Sequence, residues 1–305
     1  MSLTRREFVL MSSAAAAVAA TRNVLFARQA PAPPAGSFGM VRADVGTFTA
    51  QGGTIGWLVN QDAVVVVDTQ YARSAPLCLE GLKERSSGRT IDLVFNTHHH
   101  ADHTGGNGVF QPVSKKIVAH ARVPALMKQF NVQPNAPEPV LPSATFDNTW
   151  SEQMGRETVS AKHHGPAHTG ADAVLHFERA NVVHMGDLLW LDLHPRVDRP
   201  AGASIQNWLR TLETVSKAMS HDAVFIAGHA RAGLPVAVKG DAIVRQRNYF
   251  DAILAHVRKG IADKRSLEEI VALEALPGFE GVQAINATII LRAVLTAAYE
   301  ELTAK

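Results

Sequence analysis

The pattern of apolar and polar positions divides the chain into a β-rich first part and a mixed second part. Short β-branched runs at 54–59 and 63–68 flank the turn-like residues 60–62, which is typical of a β-hairpin. Residues 91–95 are apolar except for Asp92, which indicates a strand buried on both faces. Further strands are predicted at 116–119, 157–161, 173–177, 181–185 and 223–227.

Helical spacing of apolar residues appears first at 72–86, where the turn-like pair Ser87-Gly88 ends the pattern. Two β-rich halves, each with helices, predict two sheets packed face to face with helices outside. The long helical tail after residue 230 is expected to cover one sheet. Further helices are predicted at 123–130, 204–219, 236–258, 266–273 and 285–302.

The composition is that of a chain with a full apolar core. Of its 305 residues, 46% are hydrophobic and 19% are charged, which suits one large domain or two small ones. Cys78 is the single cysteine. It excludes an internal disulfide and any site that needs two thiolates.

The first thirty residues are typical of an export signal. Residues 4–10, TRREFVL, resemble the twin-arginine motif and lead into an alanine-rich stretch at 11–20. The alternative is an alanine-rich N-terminal helix. Three prolines in residues 31–36 indicate a linker over 31–37, with the ordered domain beginning near Phe38. We therefore predict a signal peptide over 1–30, a twin-arginine export machinery as partner, and a periplasmic or secreted protein.

The charge balance argues against nucleic acid as a partner. Residues 1–30 carry four arginines and one glutamate, so their removal changes the formal net charge from +2 to −1. No stripe of basic residues with interleaved aromatic residues remains. No apolar run reaches the roughly 18 residues that a membrane span needs, so stable membrane insertion after processing is not expected. The expected partner of the mature protein is a small-molecule substrate.

A dense group of metal-binding residue types follows the strand predicted at 91–95. His98, His100, Asp102 and His103 lie within six residues, in the pattern H-x-H-x-D-H. Imidazole nitrogen and carboxylate oxygen are ligands of zinc and also suit iron and manganese. With one cysteine in the chain, histidine and carboxylate must supply the ligands. The chain is therefore predicted to be a metalloenzyme.

Three further candidate ligands lie beside glycine at predicted strand ends. His168 stands in the turn-like segment 165–170, Asp187 follows Gly186, and His229 follows Gly228. Alone, each would be more typical of a turn or a cap. At strand ends, however, side chains can reach a shared pocket, and glycine lets the backbone approach closely. These side chains are expected to converge on one edge of a sandwich.

In this order the motifs resemble the metallo-β-lactamase superfamily, over about residues 40–235 and including Asp68 at the end of VVVVD. The resemblance implies the α/β (α+β) class: a four-layer αββα sandwich over 38–235, with a helical C-terminal extension packed on it over 236–305. Asp68 would orient the metal loop through hydrogen bonds. The resemblance further implies one metal held by His98, His100 and His168, a second held by Asp102, His103 and His229, and Asp187 as the bridge between them.

Two zinc ions would supply the chemistry that this resemblance implies. Ions about 3.5 to 4 Å apart lower the pKa of a bridging water toward about 7 and polarise a carbonyl. Asp102 would orient the metal-bound hydroxide as well as bind metal. The predicted function is hydrolysis of a small-molecule ester, thioester, lactone or amide-like carbonyl, with iron or manganese as other possible metals.

Other functions stay open. The motifs and Asp187 are most similar to those of glyoxalase II and its relatives, but no glutathione-binding basic residues are recognised in 230–305. A secreted metallo-β-lactamase suits export, although one subclass has cysteine at the place of Asp187 and another does not use a bridging aspartate. A third candidate is a non-catalytic metal or cofactor-binding module. The complete set of seven candidate ligands argues against it, because such a module has no need of an open metal position. A persulfide dioxygenase would hold one iron.

The residues around these ligands are less informative. His99 is expected to point away from the metals, because alternate residues of an extended segment face opposite sides. His163 and His164 have no role that the sequence determines; they are expected as a partly exposed polar pair, one of which could support a ligand. Leu189, Trp190 and Leu193 fit a pocket wall and a packed core equally well.

Overall fold

The computed structural model describes residues 36–132 and 137–304. The predicted signal peptide and residues 31–35 of the predicted linker lie outside these ranges. The first strand begins at Ser37, the last residue of the predicted linker. Among the described residues, no helix is long and apolar enough to cross a membrane.

The first sheet has seven strands in chain order. Neighbouring strands are antiparallel from the first strand to the fourth and parallel from the fourth to the seventh. The parallel part places the ends of successive strands at the same edge. The strands are β1 (Ser37–Arg42), β2 (Val45–Thr49), β3 (Ile55–Val59), β4 (Val64–Val67), β5 (Leu93–Asn96), β6 (Ile117–His120) and β7 (Ala144–Phe146).

The second sheet has six strands, and two further short strands form a separate two-stranded ribbon. The sheet comprises β8 (Thr149–Met154), β9 (Glu157–Lys162), β10 (Val174–Phe177), β11 (Val182–His184), β13 (Val224–Ile226) and β15 (Ala237–Val238); the ribbon pairs β12 (Trp190–Leu191) with β14 (His229–Ala230). The order across the sheet is β15-β13-β11-β10-β9-β8.

Eight α-helices complete the described part of the chain. Ser204 begins the fifth helix with a side-chain hydrogen bond from the amide of Asn207, which satisfies one of the free amides of the first turn. The helices are α1 (Ala75–Ser86), α2 (Ala101–Thr104), α3 (Asn107–Phe110), α4 (Val123–Phe130), α5 (Ile205–Ala218), α6 (Asp241–Ala262), α7 (Leu267–Val271) and α8 (Leu291–Thr303).

Three apolar clusters show that the elements form four layers. Alternation along β4 sends Val65 toward the other sheet and Val66 toward α1, since successive strand residues face opposite sides. Between the sheets, Phe95 of the first sheet belongs to the same cluster as Phe177 of the second. On the far side, Trp208 of α5 packs with residues of α6, α8 and the second sheet. The predicted αββα sandwich is confirmed.

Two helices begin five or six residues later than the sequence predicts. The helix predicted from residue 236 begins at Asp241, because residues 237–238 form β15 and pair with β13. The helix predicted from residue 285 begins at Leu291. There the Asn286 side chain accepts hydrogen bonds from the amides of Thr288 and Ile289, which favours a turn over a helix.

Candidate metal centre

The predicted ligands come from loops at one edge of both sheets. His98 and His100 follow β5, while Asp102 and His103 lie in the short helix α2. From the second sheet come His168, before β10, and Asp187, in a 3-10 turn after β11. His229 opens β14, and all seven side chains reach the same place.

Two glycines allow this close approach. A Cβ at Gly53 would lie 2.1 Å from the His103 ring, and a Cβ at Gly228 would lie 2.2 Å from Asp187 Oδ1. Both distances are too short for real contacts. Glycine is therefore required on both sides of the donor atoms.

The first donor group consists of His98, His100, His168 and one oxygen of Asp187. Their donor atoms all lie within 4.8 Å of one another, and all four residues are buried. His100 Nδ1 lies 3.1 Å from His98 Nε2 and 3.0 Å from His168 Nε2. Asp187 Oδ2 is 3.3 Å from His168 Nε2.

The second donor group consists of Asp102, His103 and His229. Asp102 Oδ2 lies 3.2 Å from His229 Nε2 and 3.7 Å from His103 Nε2. The other oxygen of Asp187, Oδ1, lies 2.9 Å from His103 Nε2 and 3.3 Å from His229 Nε2. Asp187 thus has one carboxylate oxygen in each group.

The hydrogen bonds behind the first donor group show that it suits a cation. A neutral imidazole carries one N–H. His100 can donate it from Nε2 to Asp198 at 2.6 Å, and His168 from Nδ1 to the Arg196 carbonyl at 2.7 Å. Two lone pairs then face each other 3.0 Å apart. A divalent metal ion between them would replace this repulsion with coordination, so the donor set is compatible with a divalent metal site.

Charge is distributed differently in the two groups. Burial lowers the pKa of His168 to about 3 and that of His98 well below its usual range, so both stay neutral and free to coordinate. Burial also acts against charge on His229, but the Asp187 and Asp102 carboxylates raise its pKa to about 9. In the second group a metal therefore competes with protons, and metal binding would release them.

Asp68 lies behind the second donor group, fully buried. Its carboxylate accepts hydrogen bonds from the amide and hydroxyl of Thr97, both at 2.8 Å, and contacts His103 Nδ1 at 2.7 Å. These contacts fix the loop after β5 and direct His103 Nε2 toward the other donors. They are the contacts that the predicted orienting role of Asp68 requires.

Asp198 does the same for the first donor group, and the sequence did not reveal it. Asp198 lies 98 residues from His100 in the chain, and no motif around it in the sequence marks it as a functional residue. Burial opposes its charge, but its hydrogen bond with His100 and the Arg196 guanidinium hold its pKa below the usual range. Arg196 Nη2 lies 3.1 Å from Asp198 Oδ2.

The variant Asp198→Asn is expected to bind zinc about 10- to 100-fold more weakly. The amide removes the charged acceptor that holds His100 with Nδ1 toward the other donors. Competition with a chromophoric chelator would measure the dissociation constant. Asp192→Asn is the matched control, because Asp192 pairs with Arg245 at 3.0 Å and belongs to neither donor group. Equal zinc affinity in both variants would contradict this role of Asp198.

The other nearby histidines lie outside both donor groups. His99 belongs to neither donor group, but its Nε2 lies 3.9 Å from Asp198 Oδ2, and it forms a third potential ligand group with His100 and Asp198. Its ring lies 5.7 Å from that of Phe130, and its predicted orientation away from the metals stays a prediction. His163 stacks on His120 at 4.0 Å. His164 is half-buried, and its backbone carbonyl accepts a hydrogen bond from Asn207.

Both donor groups border a cavity of about 660 Å³, here called the metal cavity. Trp190 forms part of its wall, since its indole donates to the Asp187 carbonyl at 2.7 Å and its ring lies 4.4 Å from that of His229. Leu189 is instead part of the packed core. The outer lining includes Tyr71, Arg196, Val197, Ile285 and Ile289.

A comparison with known protein families identifies the family to which this chain belongs. The family described as the metallo-beta-lactamase superfamily matches residues 49–229. The chain belongs to the metallo-β-lactamase superfamily. It is accordingly a hydrolase of this superfamily, with histidine and aspartate groups compatible with a divalent metal.

Individual relatives in the superfamily are distant. A metallo-beta-lactamase type 2 from Elizabethkingia meningoseptica is 21% identical over 173 residues, which are 57% of this chain and 67% of the relative. A double mutant of the sec-alkyl sulfatase PisA1 superposes with a TM-score of 0.69 at 15% identity; the match covers 88% of this chain but only 50% of the sulfatase chain. The DIM-1 metallo-beta-lactamase gives 0.59 at 16% identity, over 72% of this chain and 98% of its own. At these identities the structures share the fold.

Proposed function

We propose that the protein is a dizinc hydrolase that cleaves a small-molecule ester, thioester or lactone carbonyl. The observation that carries the proposal is the position of Asp187. One of its oxygens lies 2.9 Å from His103 and the other 3.3 Å from His168, so a single carboxylate serves both donor groups. A shared carboxylate between two donor sets is the arrangement that two neighbouring cations need, because it offsets their repulsion.

The assignment of ligands follows the two groups. His98, His100 and His168 would hold one ion, Asp102, His103 and His229 the other, and Asp187 both. When bound, the two ions would polarise the substrate carbonyl and lower the pKa of a water at the site.

Asp102 is the donor best placed to act on the reacting water as well. Its side chain is 21% exposed, whereas that of Asp187 is 2% exposed. One Asp102 oxygen faces His229, and the carboxylate borders the metal cavity, where it can accept a hydrogen bond from water. Tyr71 borders the same cavity, and burial raises the pKa of its phenol, which stays a neutral hydrogen-bond donor.

The test is the kcat/KM of the zinc-loaded protein for an acyl ester, an acyl thioester and a β-lactam, measured side by side. We expect hydrolysis of the ester or thioester that stops with a chelator and returns with zinc. Metal analysis should find two zinc ions per chain. One iron ion per chain with no hydrolysis would instead favour the dioxygenase, and hydrolysis that survives complete metal removal would contradict the proposal.

A β-lactamase activity is the second candidate, because the curated relative is a metallo-beta-lactamase type 2. Asp187 stands where one β-lactamase subclass has a cysteine ligand, which makes this candidate the weaker one. A strong, chelator-sensitive preference for the β-lactam would reverse the ranking. Alkyl sulfate is a useful additional substrate, because a sec-alkyl sulfatase shares the fold over most of this chain.

We also propose that the protein is exported by the twin-arginine route and acts in the periplasm or outside the cell. The proposal rests on the TRREFVL segment at residues 4–10. Replacement of both Arg5 and Arg6 by lysine should leave the full-length protein in the cytoplasm, whereas the unaltered chain is recovered, shortened, outside it. Cell fractionation and immunoblotting would measure the export of both forms. Equal export of the lysine variant and the unaltered chain would contradict this route.

A further inference from the structure

A second cavity of about 280 Å³, here called the side cavity, lies next to the metal cavity. Trp190 and Pro195 line both, so the two cavities are direct neighbours. The rest of the side cavity is mostly apolar. Its apolar lining includes Leu191, Leu193, Leu234, Val238, Phe279 and Val282.

Except for Asp241, which is exposed at the first residue of α6, the polar side chains that line the side cavity have hydrogen-bond or ion-pair partners. Gln246 accepts a hydrogen bond from the Trp190 amide at 2.6 Å and donates to the Leu188 carbonyl at 2.8 Å. The Tyr249 hydroxyl contacts His194 Nδ1 at 2.8 Å, and Arg245 pairs with Asp192 at 3.0 Å. Apart from Asp241, a ligand in the side cavity therefore meets apolar surface and polar groups that already have partners. This lining selects a hydrocarbon group over a polar one.

The walls of the side cavity are held together by both parts of the chain. The loop after β12 supplies Leu193, which forms an isolated β-bridge with Gln283 of the C-terminal extension. The next residue, His194, donates its amide to the Gln283 carbonyl at 2.9 Å. Residues between 238 and 282 thus supply part of the cavity wall, although the family match ends at residue 229.

The wall between the cavities is in contact with the donor groups. Trp190 lies against His229, donates to the Asp187 backbone carbonyl and also lines the side cavity, so one residue contacts both the donor groups and the side cavity. On the metal-cavity side, Pro195, Val197 and Ile289 are apolar. Trp190 and Pro195, which line both cavities, therefore join the apolar lining of the metal cavity to that of the side cavity.

We propose that the side cavity binds the hydrocarbon end of the substrate, which makes the substrate a medium-chain acyl compound of roughly six to ten carbons. The chain length follows from the volume, since a water molecule takes about 30 Å³ of liquid and a methylene is of similar size. This inference rests on the proposed hydrolase function. It adds the class of acyl group to that function.

The test is a series of aryl esters with the same leaving group and acyl chains from acetyl to dodecanoyl. With the zinc-loaded wild type, kcat/KM should rise about fourfold for each methylene that enters the cavity and level off near ten carbons. In Ala242→Trp, whose added ring would fill the cavity, the rise should disappear while acetyl-ester hydrolysis persists. Val244→Trp is the matched control, because Val244 lies on the same helix, is 48% exposed and lies outside the cavity lining.

A second variant works in the opposite direction. Phe279→Ala enlarges the cavity and should move the preferred chain to a longer length, an effect that general damage to the fold would not produce. Octanoate should inhibit competitively, and calorimetry should show that Ala242→Trp binds it at least tenfold more weakly. Non-competitive inhibition by octanoate would overturn the inference, because the cavity would then be separate from the substrate path.

The outcomes separate this inference from the proposed function. Zinc-dependent hydrolysis with equal kcat/KM for acetyl and octanoyl esters would overturn the acyl-chain cavity and leave the hydrolase standing. Absence of zinc-dependent hydrolysis across the whole series, the acetyl ester included, would contradict the proposed function itself.

Discussion

Replacement of Asp187 by asparagine is expected to lower kcat/KM by about a thousandfold. The substitution keeps the size of the side chain but removes the one negative charge shared by both donor groups. An amide presents one acceptor oxygen where Asp187 presents two, so one donor group loses a ligand. A loss of several kcal/mol of metal-assisted transition-state stabilisation corresponds to this factor.

Metal analysis and kinetics together would check this result. Asp187→Asn should retain fewer than two zinc ions per chain at zinc concentrations that saturate the wild type. Asp263→Asn is a suitable control for the kinetics, because Asp263 is exposed, pairs with Lys259 at 2.8 Å and lines neither cavity. If Asp187→Asn kept two zinc ions and wild-type kcat/KM, Asp187 would not bridge the groups and the proposed dizinc assignment would fail.

The second large effect is expected on stability. Asp68→Ala should lower the free energy of unfolding by about 3 to 5 kcal/mol, since removal of one partner from a buried charged network leaves the others unpaired. Here the unpaired groups are the Thr97 amide and hydroxyl and His103 Nδ1. Burial opposes a charge on His103, but Asp187, Asp102 and Asp68 together raise its pKa well above the usual range. Loss of Asp68 removes part of that support.

Urea unfolding of the metal-free protein would measure this change without a contribution from bound metal. Asp68 also has a left-handed backbone, with φ of 65°, which asparagine tolerates better than alanine. Asp68→Asn should therefore lose less stability than Asp68→Ala. The control is Asp62→Ala, at an exposed turn, with an expected change of at most about 1 kcal/mol. Equal stability of Asp68→Ala and Asp62→Ala would contradict the account.

The sequence was sufficient for the elements whose apolar pattern is strong. The run VVVV at 64–67 is buried on both faces, and such a run predicts a central strand directly. The edge strands β1 and β8 were not predicted, because half of the residues of each are exposed and their apolar pattern is weak. Their strand structure depends on pairing with β2 and β9, which are tertiary contacts that local pattern does not record.

The same limit applies to the site. The H-x-H-x-D-H motif is local, and its residues do lie together, whereas their function as ligands stays a prediction. Asp198 and Arg196 were not found, because their relation to His100 and His168 exists only after the loops of the second sheet fold over the first. The cavity lining supplied by Ile285 and Ile289 depends on a turn in a segment that the sequence predicted as helix.

The donor groups draw on both halves of the sandwich: His98 to His103 follow β5 of the first sheet, whereas His168 and Asp187 border strands of the second. A bound ion would therefore connect the two sheets through its ligands, in addition to their shared apolar core. Opening the sandwich at this edge would require breaking coordination bonds, so the metal content of the protein should govern how readily proteases gain access to the loops of this edge. The resistance of the protein to proteolysis would then increase with the metal concentration in the compartment where the protein matures.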